Sequence, residues 1–162
     1  MFDDLTLARA LHVLAVVHWI GGVTFVTAVL LPTVRRDVAA ARRMAVFEAL
    51  EHRFARQARA SVPLAGLSGF WLTHRLAAWP RLFDPALLST YWWMHAMVAV
   101  WGVFMIMLFV AEPLFLHAWF QRRAADAPEA TFDFIQRAHV ALLGASLVTV
   151  GAAVLGAHGF FY

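Results

Sequence analysis

The sequence predicts an all-α fold, an integral-membrane four-helix bundle with both termini on the periplasmic side, on three observations. Of 162 residues, 62% are hydrophobic and only 14% charged, whereas soluble domains carry about a quarter charged residues. Four apolar stretches, each of spanning length, recur along the chain, and a bilayer core requires about 20 residues of helix. The thirteen cations are all arginines, and they gather in the connections on one side, as topology signals do.

The first span is expected at about 5–31, inside the run RALHVLAVVHWIGGVTFVTAVLLP, with Pro32 as its stop and Arg35–Arg36 beyond. The chain opens MFDDLTLARA, acidic where a secretory signal requires a basic region, so this span is expected to be retained. Its Gly21–Gly22 pair removes bulk in mid-span, which lets a neighbouring helix or a flat cofactor approach the backbone. Residues 33–59 hold seven arginines and repeated alanines. They read as a cytoplasmic helix, about 37–56, running straight into a second span at about 57–77.

That second span is the least apolar. Pro63 is expected to bend it, and Ala65, Gly66, Ser68 and Gly69 give it a small-residue face before His74–Arg75 marks the exit. Residues 80–90, with two prolines and an aspartate, form a loop. The third span, about 91–120, opens on Tyr91-Trp92-Trp93 and closes on Trp119-Phe120, an aromatic belt at each interface. A polar turn with a cap at Thr131 leads to the fourth span, about 136–159. Ten arginines fall on the side of residues 33–59 and 122–137, against Arg9, Arg75 and Arg81 on the other. The positive-inside rule then places the chain in a bacterial inner membrane with its termini outside.

Several function classes drop out. The chain has no cysteine, which removes disulfides, thiolate-held clusters and a thiolate nucleophile. No phosphate loop, Ser/His/Asp order or paired carboxylates at hydrolase spacing appear, and the arginines form no stripe with exposed aromatics, so nucleic acid is not a partner.

Histidine in hydrocarbon is costly unless it is paired, metal-bound or facing a polar cavity. His12, His74, His95 and His158 stand at the periplasmic ends of the four expected spans, and His52, His117 and His139 at the opposite ends. His18 lies about 9 Å deeper than His12. Terminal histidines often rest among headgroups, the plain reading for His52 and His139. Four at one level suggest a cofactor. Haem b requires two axial nitrogens, a slot lined by small residues, and cations for its propionates; Arg9, Arg75 and Arg81 supply the last. A copper site would combine imidazoles with Met94, Met97, Met105 or Met107, although such methionines also serve as packing. Glu112, before Pro113, either relays protons, meets a quinone, or snorkels to the cytoplasmic face.

Arg9-Ala-Leu-His12 with Trp19-Ile-Gly-Gly22, the stretch from Arg53 through Ala58-Arg-Ala-Ser-Val-Pro-Leu-Ala-Gly-Leu-Ser-Gly-Phe-Trp-Leu72, and Trp93-Met-His95 resemble the HemJ-type protoporphyrinogen oxidases and their relatives in the CopD copper-resistance superfamily. The resemblance covers about two thirds of the chain. It implies a small four-helix membrane protein binding haem b, with His12 and His95 at the positions of the family's histidines. Where the HemJ proteins have His-Val-Lys this chain has His95-Ala-Met97, and it contains no lysine, which argues against porphyrinogen oxidation. CopD proteins usually have further helices or partners, which this chain lacks.

The expected function is therefore that of a b-type cytochrome with a bis-histidine haem on His12 and His95, carrying electrons between a membrane quinone and a redox partner protein amid membrane lipid. Copper handling and HemJ-like oxidation are the alternatives. One haem is expected, or two if His74 and His158, or His117 and His139, form a second site. His18 is a further candidate ligand.

Overall fold

The computed structural model describes residues 3–161, with His117 described by its backbone alone. These residues are helical almost throughout and include no strand. Helix α1 runs Asp4–Asp37. Asp3 caps it, its carboxylate accepting from the amides of Leu5 and Thr6 at 3.2 Å each, two of the donors that a helix start leaves open. Pro32 does not end this helix as expected. A π-helical stretch, Val26–Leu30, precedes it, and regular helix resumes over Leu31–Asp37. Proline brings no amide hydrogen to satisfy, and a widened turn gives its ring room against the preceding carbonyls. The break falls at Val38 and Ala39, both extended.

Helix α2, Ala40–Arg75, passes unbroken through Pro63, so the arginine-rich segment and the small-residue stretch are one rod. Ala77 at φ 48° turns the chain into the one-turn helix α3, Pro80–Phe83. Helix α4 spans Trp92–Leu116, regular to Ile106 and π-helical over Met107–Leu116 around Pro113. It continues directly into α5, His117–Asp126. The last helix, α6, covers Pro128–Ala157. It begins with proline at its first position, where no amide donor is needed. The expected cap, Thr131, instead lies inside the helix, fully buried, its hydroxyl donating to the Ala127 carbonyl at 2.9 Å. Gly159 at φ 82° closes the helix, with the Phe160 amide returning to the Leu155 carbonyl at 3.1 Å.

Three helices, α1, α4 and α6, are long and apolar enough to cross a membrane. Helix α2 is not among them, because Ser61, Pro63, Gly66, Ser68, Gly69 and Thr73 dilute its apolar half. Its neighbours nonetheless run antiparallel along it. Asp4, His12 and Gly22 of α1 meet Arg75, Ala65 and Phe54 of α2 in turn. On α4, Trp101 reaches Val62 and Glu112 reaches Arg59. Trp93 of α4 packs on Gly156 of α6, and Arg35 of α1 bonds Asp133 and Gln136 of α6.

The interior is built largely of small and β-branched residues. Ala15, Val23, Ala58, Val62 and Ala65 surround Trp19 and Phe104, whose rings meet edge to face at 4.8 Å. Several buried hydroxyls are satisfied within their own helices: Thr27, Ser61, Ser68 and Ser146 each donate to the carbonyl four residues back. Many large apolar side chains point outward instead, among them Leu14, Leu67, Phe70, Ile106, Leu114 and Val148.

Candidate functional site

His12 stands on the packed face of α1, in line with the buried Ala8, Ala15, Trp19 and Val23 at helical spacing. Its ring lies on α2, Nδ1 at 2.9 Å from the Ala65 carbonyl and 3.2 Å from the Ser68 hydroxyl oxygen. Ser68 donates its own proton to the Leu64 carbonyl at 2.6 Å, so its oxygen is free to accept. The network thus assigns the proton to Nδ1 and leaves the Nε2 lone pair without a partner among the described residues.

A carbonyl inside a helix accepts from the fourth following amide, and a side chain at that position shields its second lone pair. The residue four after Ala65 is Gly69. A Cβ there would lie 3.0 Å from His12 Cε1, so any side chain at this position would press the imidazole outward by a few tenths of an ångström. The pattern repeats one turn away. Gly66 follows Val62 by four, the Trp101 ring fills the space of its absent Cβ at 2.6 Å, and the indole N–H donates to the Val62 carbonyl at 3.0 Å. Gly22 likewise receives the Phe54 ring, whereas Gly21 faces open space. The small residues of α2 and α1 are therefore occupied by side chains of the chain itself.

His95 has the opposite arrangement. Its Nε2 lies 2.9 Å from the Leu82 carbonyl on α3, and its Nδ1 lies 3.3 Å from the carbonyl of Tyr91. Both nitrogens face acceptors, so the ring pins the loop and turns no lone pair to a ligand. His158 and His139 donate Nδ1–H to the carbonyls of Val154 and Ile135, at 2.7 Å and 2.9 Å, and His139 also sets its ring edge-on to Phe47. His18, His52 and His74 are exposed, and the side chain of His117 lies outside the described residues. The four imidazoles expected at one level do not converge: among the described residues no three His, Asp or Glu side chains form a group able to hold a metal ion. Depth along a helix was readable from residue counts, but convergence also requires the right azimuth.

The arginines expected near propionates differ as well. Arg75 is held by Asp4 through two bonds of 2.9 and 3.0 Å, Arg81 lies over the Tyr91 ring at 4.9 Å, and Arg9 is exposed. Glu112 acquires a partner that the sequence reading did not supply. It forms an ion pair with Arg59 of α2, each side chain about one third exposed, so a lone carboxylate in an apolar helix is matched by the cation it requires.

An axial haem ligand commonly donates its other ring nitrogen to a carbonyl, which fixes tautomer and orientation. His12 fits that donor chemistry. His95, as placed, does not, because a backbone carbonyl stands against each of its nitrogens. No family model matches the chain, and no curated protein and no solved structure is similar to it.

Proposed function

We propose that the chain is a multi-pass inner-membrane protein, a four-helix bundle with both termini periplasmic, that binds haem b with His12 as axial imidazole and transfers electrons in exchange with a membrane quinone. Support for the membrane reading is the inverted surface, with large apolar side chains outside and small or self-bonded polar residues within, as lipid demands. In this reading the second span, expected at about 57–77, is the C-terminal part of α2, flanked by more apolar helices, and the arginine-rich ends of α1, α2 and α5 favour the cytoplasm.

One observation carries the haem reading: the Nδ1-tethered, Nε2-free state of His12. A haem would supply a one-electron couple. At this site the Ala65 carbonyl and the Ser68 hydroxyl would hold the imidazole by Nδ1 and so fix its tautomer, and Gly69 leaves room for the ring against α2. A single imidazole suffices to anchor a porphyrin, whereas a copper site requires several converging donors.

The absorption spectrum of the purified protein tests this. Wild type and His18→Ala should show a haem Soret band that His12→Ala lacks. A colourless wild type from haem-replete cells, or a His12→Ala protein with an unchanged spectrum, would overturn it.

A further inference from the structure

A groove of about 530 Å³ opens between the Arg35–Arg36 end of α1 and the first half of α6, lined by Arg35, Asp133, Gln136, Arg137, Val140 and Ala141. We infer that it binds the headgroup of an anionic phospholipid. This rests on the membrane reading above and is independent of the haem.

Arg35 is fixed in the groove by two partners on α6. Its Nη2 lies 2.7 Å from the Asp133 carboxylate, and its Nη1 donates to the Gln136 side-chain carbonyl at 2.9 Å. That pair neutralises the one carboxylate present and leaves no anionic site for a choline or ethanolamine group. Arg137 is different. It donates only Nε, to the Asp133 backbone carbonyl at 3.3 Å, and has no ion-pair partner among the described residues. The groove therefore holds one uncompensated guanidinium, whose terminal nitrogens are free to bond phosphate oxygens in pairs.

The floor decides between lipid and dissolved phosphate. Val140, 55% exposed, and Ala141 lie one turn further along α6. Beyond them Leu147 and Val148 continue the outward apolar surface. A cation at the rim with aliphatic surface running away from it matches a phosphodiester that carries acyl chains, as basic pockets at cytoplasmic helix ends do. Inorganic phosphate would use the rim and gain nothing from the floor.

The test is native mass spectrometry of the full-length, haem-replete protein from mixed micelles with equal phosphatidylglycerol and phosphatidylcholine. Wild type should retain phosphatidylglycerol in preference, and Arg137→Gln should weaken that retention about fivefold, the share of one interfacial arginine. Arg81→Gln, at the other end of the molecule, should leave it unchanged. Arg35→Gln also cuts the tie between α1 and α6, so Arg137→Gln, which removes a single side-chain bond, is the deciding variant. Equal retention of both lipids, a preference that survives Arg137→Gln, or displacement of the lipid by inorganic phosphate would each overturn the inference. Failure of the membrane reading shows separately, as a chain released from membranes by a carbonate wash.

Discussion

His12 and His95 are the same residue type, each near the start of a long apolar helix, and both are partly buried, yet they are committed in opposite ways. His12 leans on a neighbouring helix through one nitrogen, at a carbonyl that a glycine has uncovered. His95 has a carbonyl at each nitrogen, one from its own helix cap and one from the loop helix α3. The difference lies in what surrounds each ring. The α2 groups all meet one nitrogen of His12 and leave the other free, while at His95 the loop supplies a carbonyl to the nitrogen that its own helix cap leaves open. Histidine count and depth thus say little about ligation; the backbone opposite decides it.

The largest effect expected is from filling the space beneath His12. Gly69→Leu should force the imidazole off α2 and cost about 1–3 kcal/mol of stability, the usual penalty of overpacking, with loss of the Soret band. Gly66→Leu imposes the same insult on Trp101. It should destabilise by a similar amount and keep the haem. Unfolding in mixed micelles, followed alongside the spectrum, separates the two, and equal haem loss in both would remove the special status of the Gly69 site.

Next is the charge pair further along α2. Glu112→Gln leaves Arg59 without its counter-ion and should cost about 1–3 kcal/mol. The double variant Arg59→Gln with Glu112→Gln should recover part of that, because two neutral amides strand no charge. Additive losses would show that the pair is not coupled.

Smaller changes address the histidines directly. Ser68→Ala removes one acceptor from His12, and His95→Ala removes the bonds to the loop; each should cost about 0.5–1.5 kcal/mol in the same micelle titration. Only Ser68→Ala should shift the haem spectrum, and a shift in His95→Ala would restore His95 as a ligand.

The smallest effect is at the start of α1. The Thr6 hydroxyl, then the Leu5 and Thr6 amides, hold the Asp3 carboxyl below its ordinary value of 3.8. The carboxylate is favoured in the folded chain, so its contribution is complete above about pH 4 and fades as pH falls through the lowered value. Circular dichroism should show α1 fraying at its first turn in acid, and Asp3→Asn should flatten that dependence.

Much of this was legible in the sequence. Hydropathy marks α1, α4 and α6, whereas the inward face of His12 and the outward one of His18, kept as a candidate ligand on the sequence, appear only from the packing. Pro32 misled, since it sits beside a π-helical stretch that accommodates it and does not end the helix. The pairing of Arg59 with Glu112 and the capture of His95 by Leu82 depend on how helices and loops meet, which periodicity within one segment does not encode. Gly66 and Gly69 were visible as small residues. Their role in baring two carbonyls appears only once Trp101 and His12 lie on them.

Helix α2 has a mechanical consequence. It runs 36 residues without a break, about 54 Å at the usual rise, and bears Arg59 part-way along and the Ala65–Ser68 seat of His12 beyond it. A rod of this kind moves as a lever. A change of tilt, imposed by bilayer thickness or by a partner bound at its arginine-rich end, would displace the imidazole seat by an amount set by geometry alone, with no side chain having to relay the motion.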